Sequence, residues 1–203
     1  MDGIKKSDMK SKKYKFLDFR TKSFKEYSLV PIRKIDIENI RKWRNEQIDV
    51  LRQDKYLTKK EQENYYNKII KKSFFLDSPD LILFSLLLKN KLIGYGGFVH
   101  INWNSKRAEL SFLNNNLRIK KQVYEKDFSI FLKIILEIGF ENLNLNKITT
   151  ETYNIRPDVI KILEKFNFKK EGILKKHTMI DDKLIDSKLH AILRAGYIKK
   201  KHK

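Results

Sequence analysis

The sequence predicts a single α/β domain with a mixed, mostly antiparallel sheet of about seven strands and about four flanking helices. Two patterns support this prediction. Three strand-length apolar segments follow one another with short polar turns between them, as in an antiparallel meander. After the meander, segments with helical periodicity alternate with strand-like segments, and a helix between two strands favours a mixed sheet.

The region before the meander is predicted to contain one strand and two helices. Tyr27–Ile32 alternates weakly between polar and apolar residues and is interpreted as the first strand. Asp36 can cap a helix over Ile37–Glu46, whose apolar residues recur at helical spacing. Thr58 begins a Thr-Lys-Lys-Glu sequence, which is typical of a capping box and predicts a second helix that ends near Lys72.

The meander itself is predicted from three apolar segments and the polar turns between them. The predicted strands and turns are Leu81–Leu88, Lys89–Lys91, Leu92–Trp103, Asn104–Lys106 and Ala108–Leu113. Gly94 to Gly97 reads Gly-Tyr-Gly-Gly inside the second of these strands, and no helix follows it. This position indicates a close backbone approach rather than a dinucleotide-binding loop.

The second half of the chain alternates helices and strands. Apolar residues recur at intervals of three and four from Phe128 to Gly139, which predicts a long helix with one apolar face. The elements expected after it are a strand, a helix and a terminal hairpin, namely Lys147–Tyr153, Asp158–Phe166, Phe168–Ile180 and Lys183–Leu193.

Composition narrows the classes of function. A chain of 203 residues with 41 % hydrophobic residues can bury one core, so we expect one domain over residues 26–198. The basic segments 1–25 and 199–203 are predicted to be a flexible N-terminal extension and a basic tail. Cysteine is absent and the four histidines lack metal-ligand spacing, so no metal site is expected. No apolar segment reaches membrane-spanning length, which predicts a cytoplasmic protein without a membrane partner.

The formal net charge of +20 raises the question of nucleic-acid binding. The excess is mostly lysine, it accompanies many isoleucines and asparagines, and much of it lies in the two terminal segments. We interpret it as a coding bias and do not expect a specific nucleic-acid site. The same positive field would attract an anionic small molecule.

One block of sequence identifies a family. Gly139–Leu174 combines a helix end (Gly-Phe-Glu-Asn-Leu-Asn-Leu-Asn-Lys-Ile), a strand and loop (Thr-Thr-Glu-Thr-Tyr-Asn-Ile-Arg-Pro) and a helix leading into a strand (Ile-Lys-Ile-Leu-Glu-Lys-Phe-Asn-Phe-Lys-Lys-Glu-Gly-Ile-Leu). This order resembles the second half of the GCN5-related N-acetyltransferases, the GNAT superfamily, and in particular its ribosomal-protein-acetyltransferase branch. The resemblance extends from about Tyr27 to Tyr197 and implies a GNAT fold that uses acetyl-CoA as co-substrate.

The resemblance also implies where acetyl-CoA binds. In the family, the strands that correspond to Ala108–Leu113 and Lys147–Tyr153 splay apart and hold the pantetheine arm, and the following loop presents backbone N–H groups to the pyrophosphate. The family's loop carries glycines, but this chain has none between Gly97 and Gly139. Either the loop has another shape and uses basic side chains, Lys120 among them, or cofactor binding is weakened or lost. The cofactor-binding residues expected from the resemblance are Phe112, Leu113, Asn114, Arg118, Lys121, Tyr124, Lys126, Asp127 and Asn154.

Catalytic roles follow in the same way. Many family members carry a tyrosine that protonates the departing thiolate, and the corresponding residue here is Leu163. This role is therefore vacant, left to water, or filled by another residue, for which Tyr153 is the candidate. A carboxylate on the central strands is the usual base, and Glu109 is the first candidate, with Glu151 second. His100 is the alternative because an unperturbed imidazole titrates near neutral pH.

The acceptor side is predicted from the first two helices and the loop between them. Trp-Arg-Asn at 43–45 with a later Arg-Gln resembles acetyltransferases that act on nucleotide-linked amino sugars of the pseudaminic acid pathway type. Tryptophan could stack on a sugar or base and arginine could clamp a phosphate. The expected substrate-binding residues are Trp43, Arg44, Asn45, Arg52, Gln53 and Trp103.

These residues lead to a function hypothesis with alternatives. We expect direct transfer of an acetyl group from acetyl-CoA to a primary amine, with backbone N–H groups near Phe112 and Leu113 holding the oxyanion. A nucleotide-linked amino sugar is the preferred small-molecule acceptor, and a protein N-terminus is the second. A degenerate, non-catalytic binding protein is the rival outside enzymes. A homodimer is possible in either case.

Overall fold

Eight strands form one sheet within residues 13–201, the part of the chain that the computed structural model describes. The strand order across the sheet is β1-β2-β3-β4-β5-β6-β8-β7, and only β5 and β6 pair in parallel. The bounds are β1 Lys22–Phe24, β2 Tyr27–Pro31, β3 Ile82–Leu88, β4 Lys91–Asn102, β5 Arg107–Asn114, β6 Lys147–Tyr153, β7 Lys169–Ile180 and β8 Lys183–Leu193. The prediction of a mixed, mostly antiparallel sheet with flanking helices is confirmed.

The first four helices follow the predicted order, and a fifth, which was not predicted, follows β8. The helices are α1 Ile37–Glu46, α2 Lys59–Tyr65, α3 Lys121–Glu137, α4 Pro157–Lys165 and α5 Arg194–Lys201. The capping box at the start of α2 is present, because Thr58 and Glu61 exchange side-chain and backbone hydrogen bonds. A π-helical turn at Tyr66–Ile70 and a last turn at Lys71–Ser73 extend α2 to the predicted end. Another π-helical turn, Ile138–Asn142, follows α3.

Helices cover both faces of the sheet. Adjacent residues of β4 establish this arrangement, because Tyr95 contacts α1 through a hydrogen bond with Arg44, whereas a Cβ atom at Gly96 would meet Phe131 of α3. Successive residues of a strand point to opposite faces, so α1 and α3 lie on opposite sides. The Gly-Tyr-Gly-Gly sequence therefore marks a close approach within a strand, as predicted, with Gly97 packed against the backbone of Ile82.

The N-terminal boundary of the folded domain differs from the prediction. Tyr14 and Leu17 are buried, and the Tyr14 hydroxyl both donates to the carbonyl of Leu83 and accepts from its N–H at 2.8 Å. The Tyr14 ring also stacks on Phe74 at 4.5 Å. A flexible extension over residues 1–25 is therefore wrong for residues 13–25, because two large side chains of this basic segment complete the core. Residues 1–12 lie outside the described part of the chain.

The C-terminal boundary also differs. A basic tail was expected from residue 199, but α5 continues to Lys201. Arg194 at its start donates to the carbonyls of Phe140 and Leu145, and Tyr197 packs on the Phe140 ring and donates to Glu141 at 2.7 Å. The helix is thus attached to the segment that follows α3. No helix among the described residues is long and apolar enough to cross a membrane.

Candidate active site

The centre of the sheet opens between β5 and β6. The two strands pair only at Arg107–Lys147, Ala108–Ile148 and Glu109–Thr149. Beyond these pairs β5 continues to Asn114 along β4, and β6 continues to Tyr153 along β8. Each strand keeps its outer neighbour, so the inner edges diverge, and the edge of β5 after Glu109 has no β6 partner for its backbone polar groups. This is the splay that the family resemblance implied.

Three cavities lie at this opening. The central cavity, about 480 Å³, is lined by the open ends of β5 and β6 and by residues 50–52 of the α1–α2 connection. The inner pocket, about 60 Å³, lies between the strands and contains Phe112, Tyr124 and Leu163. The outer cavity, about 610 Å³, lies at the N-terminal ends of α3 and α4. Arg156 lines all three cavities.

A row of charged side chains forms one wall of the central cavity. Arg52 donates one guanidinium nitrogen to Glu109 on β5 and another to Glu151 on β6, the latter at 3.2 Å. His100 Nδ1 lies 3.2 Å from Glu109 Oε2, and His177 Nε2 lies 3.5 Å from Glu151 Oε1. The two carboxylates are 16 % and 12 % exposed, so they are largely shielded from bulk water. The structure therefore brings all three base candidates from the sequence, Glu109, Glu151 and His100, to this group of side chains.

The segment that carries Arg52 is held in place by other predicted residues. Asn45 bonds both the N–H and the carbonyl of Leu57, and Gln53 donates to Asn45. Arg44 donates to Gln53 Oε1 and to the Tyr95 hydroxyl, both at 2.9 Å. Of these predicted substrate residues, Arg44 and Arg52 line the central cavity, whereas Asn45 and Gln53 fix the geometry of the connection.

A tyrosine on α3 lies in the inner pocket beside Leu163, the residue that replaces the family's usual acid. Tyr124 is 8 % exposed, and its hydroxyl accepts a hydrogen bond from Arg156 Nη2 at 3.1 Å. Burial raises the pKa of Tyr124, and the nearby Arg156 guanidinium partly opposes this shift. The phenol is therefore protonated at neutral pH and has a cation next to its oxygen. Tyr153, the acid candidate from the sequence, lines the central cavity instead.

Several residues expected at the cofactor form an internal network. Asp127 is fully buried and accepts hydrogen bonds from Arg118 at 2.7 and 3.0 Å, from Asn114 at 2.8 Å and from Tyr27 at 2.8 Å. Burial and the Asp127 carboxylate raise the pKa of Tyr27 to about 12. The network ties β2, β5 and the β5–α3 loop to α3. The structure thus places Asp127, Arg118 and Asn114 in loop anchoring rather than on a cavity wall.

The loop before α3 takes a shape that needs no glycine. Asn115 caps a short 3-10 helix at Asn116–Arg118, and no residue from Asn115 to Lys120 has a positive φ within this described segment. α3 then begins at Lys121 with no side-chain cap on its N-terminus. Within residues 13–201, the N-cap residue Lys120 gives the first N–H groups of α3 no side-chain acceptor, and this helix start lies at the outer cavity, which Lys121 lines. The loop thus forms without glycine, while its use of basic side chains for the pyrophosphate remains a prediction; Arg118, one of those side chains, is bonded to Asp127.

Other predicted residues lie away from the cavities. Trp43 is 8 % exposed in the core, and Trp103 donates to the carbonyl of Pro79 and packs edge-on against Phe16. Lys126 is exposed on α3, and the backbone N–H of Asn154 donates to the carbonyl of Asp186. Leu113 is buried in β5 next to Phe112, which does line the central cavity. The tryptophans were predicted as stacking residues, but the apolar packing of each explains its position.

Two residues of the site were missed by sequence reasoning. Arg156 immediately precedes the proline that starts α4, and its position at a helix start was the available signal. His177 lies on β7 next to a register irregularity between Leu174 and Thr178. No local pattern identifies it, because its proximity to Glu151 depends on how the terminal hairpin pairs with β6. Within residues 13–201, no group of His, Asp or Glu side chains is arranged as a metal site.

The splayed parallel pair, the uncapped helix at the outer cavity and the carboxylate-lined central cavity define an acyltransferase fold and site. The family model described as an acetyltransferase (GNAT) domain matches residues 29–189. The chain therefore belongs to the GNAT acetyltransferase family, as the sequence block predicted.

Comparison with individual proteins supports this membership. An uncharacterized N-acetyltransferase p20 from Bacillus licheniformis is 29 % identical over 117 residues, which cover 56 % of this chain and 63 % of that relative. The match thus spans less than two thirds of the relative's length. The spermidine/spermine N-acetyltransferase SpeG from Vibrio cholerae aligns with a TM-score of 0.75 at 21 % identity over 88 % of this chain and 99 % of that one. A structure of the Vibrio cholerae spermidine N-acetyltransferase with CoA and spermine gives a TM-score of 0.74 at 22 % identity over 86 % and 99 % of the two chains.

The solved structures support the fold, but they do not show to which branch of the GNAT family the chain belongs. Neither the ribosomal-protein branch nor the nucleotide-sugar type is represented among these matches, which are described as spermidine acetyltransferases. At such identities the likeness concerns architecture, so the acceptor has to be argued from this chain's own side chains.

Proposed function

We propose that this protein transfers an acetyl group from acetyl-CoA to the primary amine of a cationic small molecule, such as an alkyl polyamine. The observation that carries the proposal is the pair of shielded carboxylates, Glu109 and Glu151, that face one cavity at the opening of β5 and β6. Buried carboxylates need a cation or hydrogen-bond donors, and an alkylammonium supplies both. The spermidine acetyltransferases of similar fold are consistent with this choice.

The residues present fit an acyl-CoA donor. Phosphates bind well at a helix N-terminus because its N–H groups and dipole favour anions, and the uncapped start of α3 offers such a position at the outer cavity. The unpaired edge of β5 after Glu109 offers backbone groups to an extended amide chain. Acetyl-CoA would contribute an acetyl group activated as a thioester. Ile119 and Ile155, both about half exposed at the outer cavity, offer it an apolar surface.

Proton transfer in the reaction is assigned to two residues. Glu109 accepts a proton from the substrate ammonium, directly or through one water, so that the amine can attack the thioester carbonyl. His100, in contact with Glu109 and exposed to solvent, carries that proton away. Backbone N–H groups of β5 near Phe112 and Leu113 stabilise the oxyanion. Attack leaves a second proton to be lost from the nitrogen, and Glu109, once His100 has taken the first proton, accepts this one as the amide forms. Tyr124 gives its proton to the sulfur as the C–S bond breaks, Arg156 stabilises the phenolate that remains, and a proton from solvent returns to the phenolate before the next turnover.

A nucleotide-linked amino sugar is less well supported as the acceptor. The clamp predicted for its phosphates consists of Arg44 and Arg52, but Arg44 is bonded to Gln53 and Tyr95, and Arg52 is bonded to two carboxylates. A pyrophosphate would have to displace these partners and approach Glu109 and Glu151, which repel it. The non-catalytic alternative predicts that acetyl-CoA does not stabilise the protein, which thermal denaturation with acetyl-CoA tests. The cytoplasmic location and a homodimer remain predictions.

A direct assay tests the proposal. The purified protein is incubated with acetyl-CoA and, in parallel, with spermidine, a UDP-linked amino sugar or a peptide with the N-terminus of a ribosomal protein, and products are identified by mass spectrometry. We expect acetylated spermidine from the wild type and about a hundredfold less from Glu109→Gln. Acetylation of the UDP-sugar or peptide alone would refute the acceptor class. A thermal denaturation curve unchanged by millimolar acetyl-CoA would refute the enzyme proposal itself.

A further inference from the structure

The guanidinium group of Arg52 occupies the position where a cationic acceptor would meet the carboxylates. One of its terminal nitrogens bonds Glu109 and the other bonds Glu151, which connects the two strands just beyond their last shared pair, Glu109–Thr149. A primary ammonium has three N–H donors and a single positive charge, and could take over both contacts. Arg52 therefore resembles, in charge and donor placement, the substrate group that the proposed function requires.

The three members of this arrangement differ in their exposure. The side chain of Arg52 is 45 % exposed, whereas those of Glu109 and Glu151 are 16 % and 12 % exposed. The carboxylates are thus fixed parts of the two strands, and the guanidinium reaches them from the solvent side. A long, flexible arginine side chain can move its charged end into water at little cost, while a shielded carboxylate cannot leave its strand. If a cation replaces one partner, that partner is Arg52.

The backbone around Arg52 can accommodate this movement. Arg52 follows a three-residue 3-10 helix at Ile48–Val50, in a connection without strand pairing. The connection is held at its two sides by Gln47, which donates to the carbonyl of Asn114, and by Asn45, which bonds the backbone of Leu57. The side chain of Arg52 can therefore swing outward while the connection stays in place.

We propose that Arg52 is a built-in competitor of the substrate ammonium, which occupies the acceptor subsite in the absence of amine and leaves when the amine binds. This inference rests on the proposed function and refines it by assigning the subsite. Without a cation between them, the two carboxylates that Arg52 bridges would repel each other. Arg52 offsets this repulsion, and it lowers the affinity for weakly basic or monodentate ligands that cannot displace it.

A phosphate clamp and a competitor of the substrate cation predict opposite effects of removing the Arg52 side chain. If Arg52 clamped an anionic acceptor, its removal would weaken acceptor binding, as expected for a lost charge-assisted contact. If Arg52 competes with a cation, its removal strengthens binding. Partly exposed ion pairs contribute little each, so we expect spermidine to bind about three- to tenfold more tightly to Arg52→Met.

Isothermal titration of spermidine into the full-length protein tests this prediction. Lys55→Met is the matched control, because Lys55 lies on the same connection and pairs with Glu61 at 2.6 Å, away from the carboxylates. It removes the same charge from the same segment and should change spermidine affinity less than twofold. The gain in Arg52→Met should disappear when Glu151→Gln is added, because that change removes one of the exchanged contacts.

A rescue experiment separates competition from a general change in the fold. Methylguanidine at millimolar concentration should reduce spermidine binding to Arg52→Met and have little effect on the wild type, whose subsite already holds a guanidinium group. Thermal stabilisation by acetyl-CoA verifies that each variant is folded. Equal or weaker spermidine binding by Arg52→Met, with acetyl-CoA binding and spermidine acetylation retained, would overturn the competitor role and leave the proposed function intact. Absence of spermidine acetylation by the wild type would instead refute the proposed function.

Discussion

Replacement of Asp127 by alanine tests whether the residues before and within α3 serve as a structural network or as a cofactor contact. Asp127 is fully buried and accepts four hydrogen bonds, two of them from Arg118 and one each from Tyr27 and Asn114. Alanine removes the acceptor and leaves three donor groups without it. The side chain of Arg118 is 26 % exposed and can recover water, whereas the other two donors are in the interior.

The expected loss follows from these contacts. A buried donor left unsatisfied costs about 1–3 kcal/mol, and a broken buried ion pair costs about 3–5 kcal/mol when neither group can reach water. Because Arg118 can regain water, we expect Asp127→Ala to lower the free energy of unfolding by about 3–5 kcal/mol in total, which is less than the sum of the separate costs. For a domain of this size, about 2–4 °C of melting temperature corresponds to each kcal/mol, which gives a decrease of about 6–20 °C.

Differential scanning calorimetry with and without acetyl-CoA measures this effect. Asp77→Ala is the control, since Asp77 pairs with Lys15 at 2.9 Å with a side chain that is 77 % exposed, and it should shift the melting temperature by no more than about 2 °C. In Asp127→Ala the unliganded protein should melt early, and the added stabilisation by acetyl-CoA should persist. A normal melting temperature combined with lost stabilisation by acetyl-CoA would refute the structural reasoning and restore the cofactor role.

Three further predictions follow from single contacts. Tyr124→Phe keeps the ring but removes the proton donor, so kcat should fall about a hundredfold with little change in the KM for acetyl-CoA, and an unchanged kcat would exclude Tyr124 as the acid. Burial lowers the pKa of His190 below its ordinary 6.5, so the imidazole stays neutral in the folded state. The contribution of His190 to the free energy of unfolding is therefore fully present above pH 6.5 and is lost as the pH falls, because the unfolded chain binds the proton more readily. The melting temperature should therefore decrease from about pH 7 to about pH 5, and His190→Gln should flatten this decrease; parallel curves would contradict it. Gly97→Ala places a Cβ atom against the Ile82 carbonyl and should cost about 1–3 kcal/mol in chemical denaturation, whereas Gly172→Ala, with its nearest contact at 3.8 Å, should be neutral within about 0.5 kcal/mol.

The order of elements was predictable because each depends on local sequence. Periodicity gave α1 and β6 with their observed bounds, and Thr58 and Glu61 gave the start of α2. The segments that were missed have no such pattern. Tyr14 and Leu17 lie in a lysine-rich segment, and their burial depends on a space next to Phe74 that exists only after the sheet has formed. The basic end of α5 was assigned to a tail for the same reason.

The residues of the candidate site also fall into those that the sequence indicated and those whose partners only the folded structure revealed. Glu109 and His100, nine residues apart on neighbouring strands, were predicted as alternative bases, and the structure places them in contact. Arg52 lies 57 residues before Glu109 and 99 before Glu151, and the sequence suggested a phosphate clamp because an isolated arginine does not indicate its partner. Tyr124 and Leu163 share a pocket only because α3 and α4 pack together beside the opened strands.

The sequence by itself determined the acetyltransferase family and the order of most helices and strands, since these depend on periodicity, capping and a recognisable block at Gly139–Leu174, and the family resemblance implied the splayed pair. The tertiary structure decided the charge partners of Arg52 and Asp127, the shape of the glycine-free loop and the place of the phenol beside Leu163. The physical reason is that electrostatic pairing depends on distances between side chains that are remote in the chain, and only the packed sheet and helices set those distances.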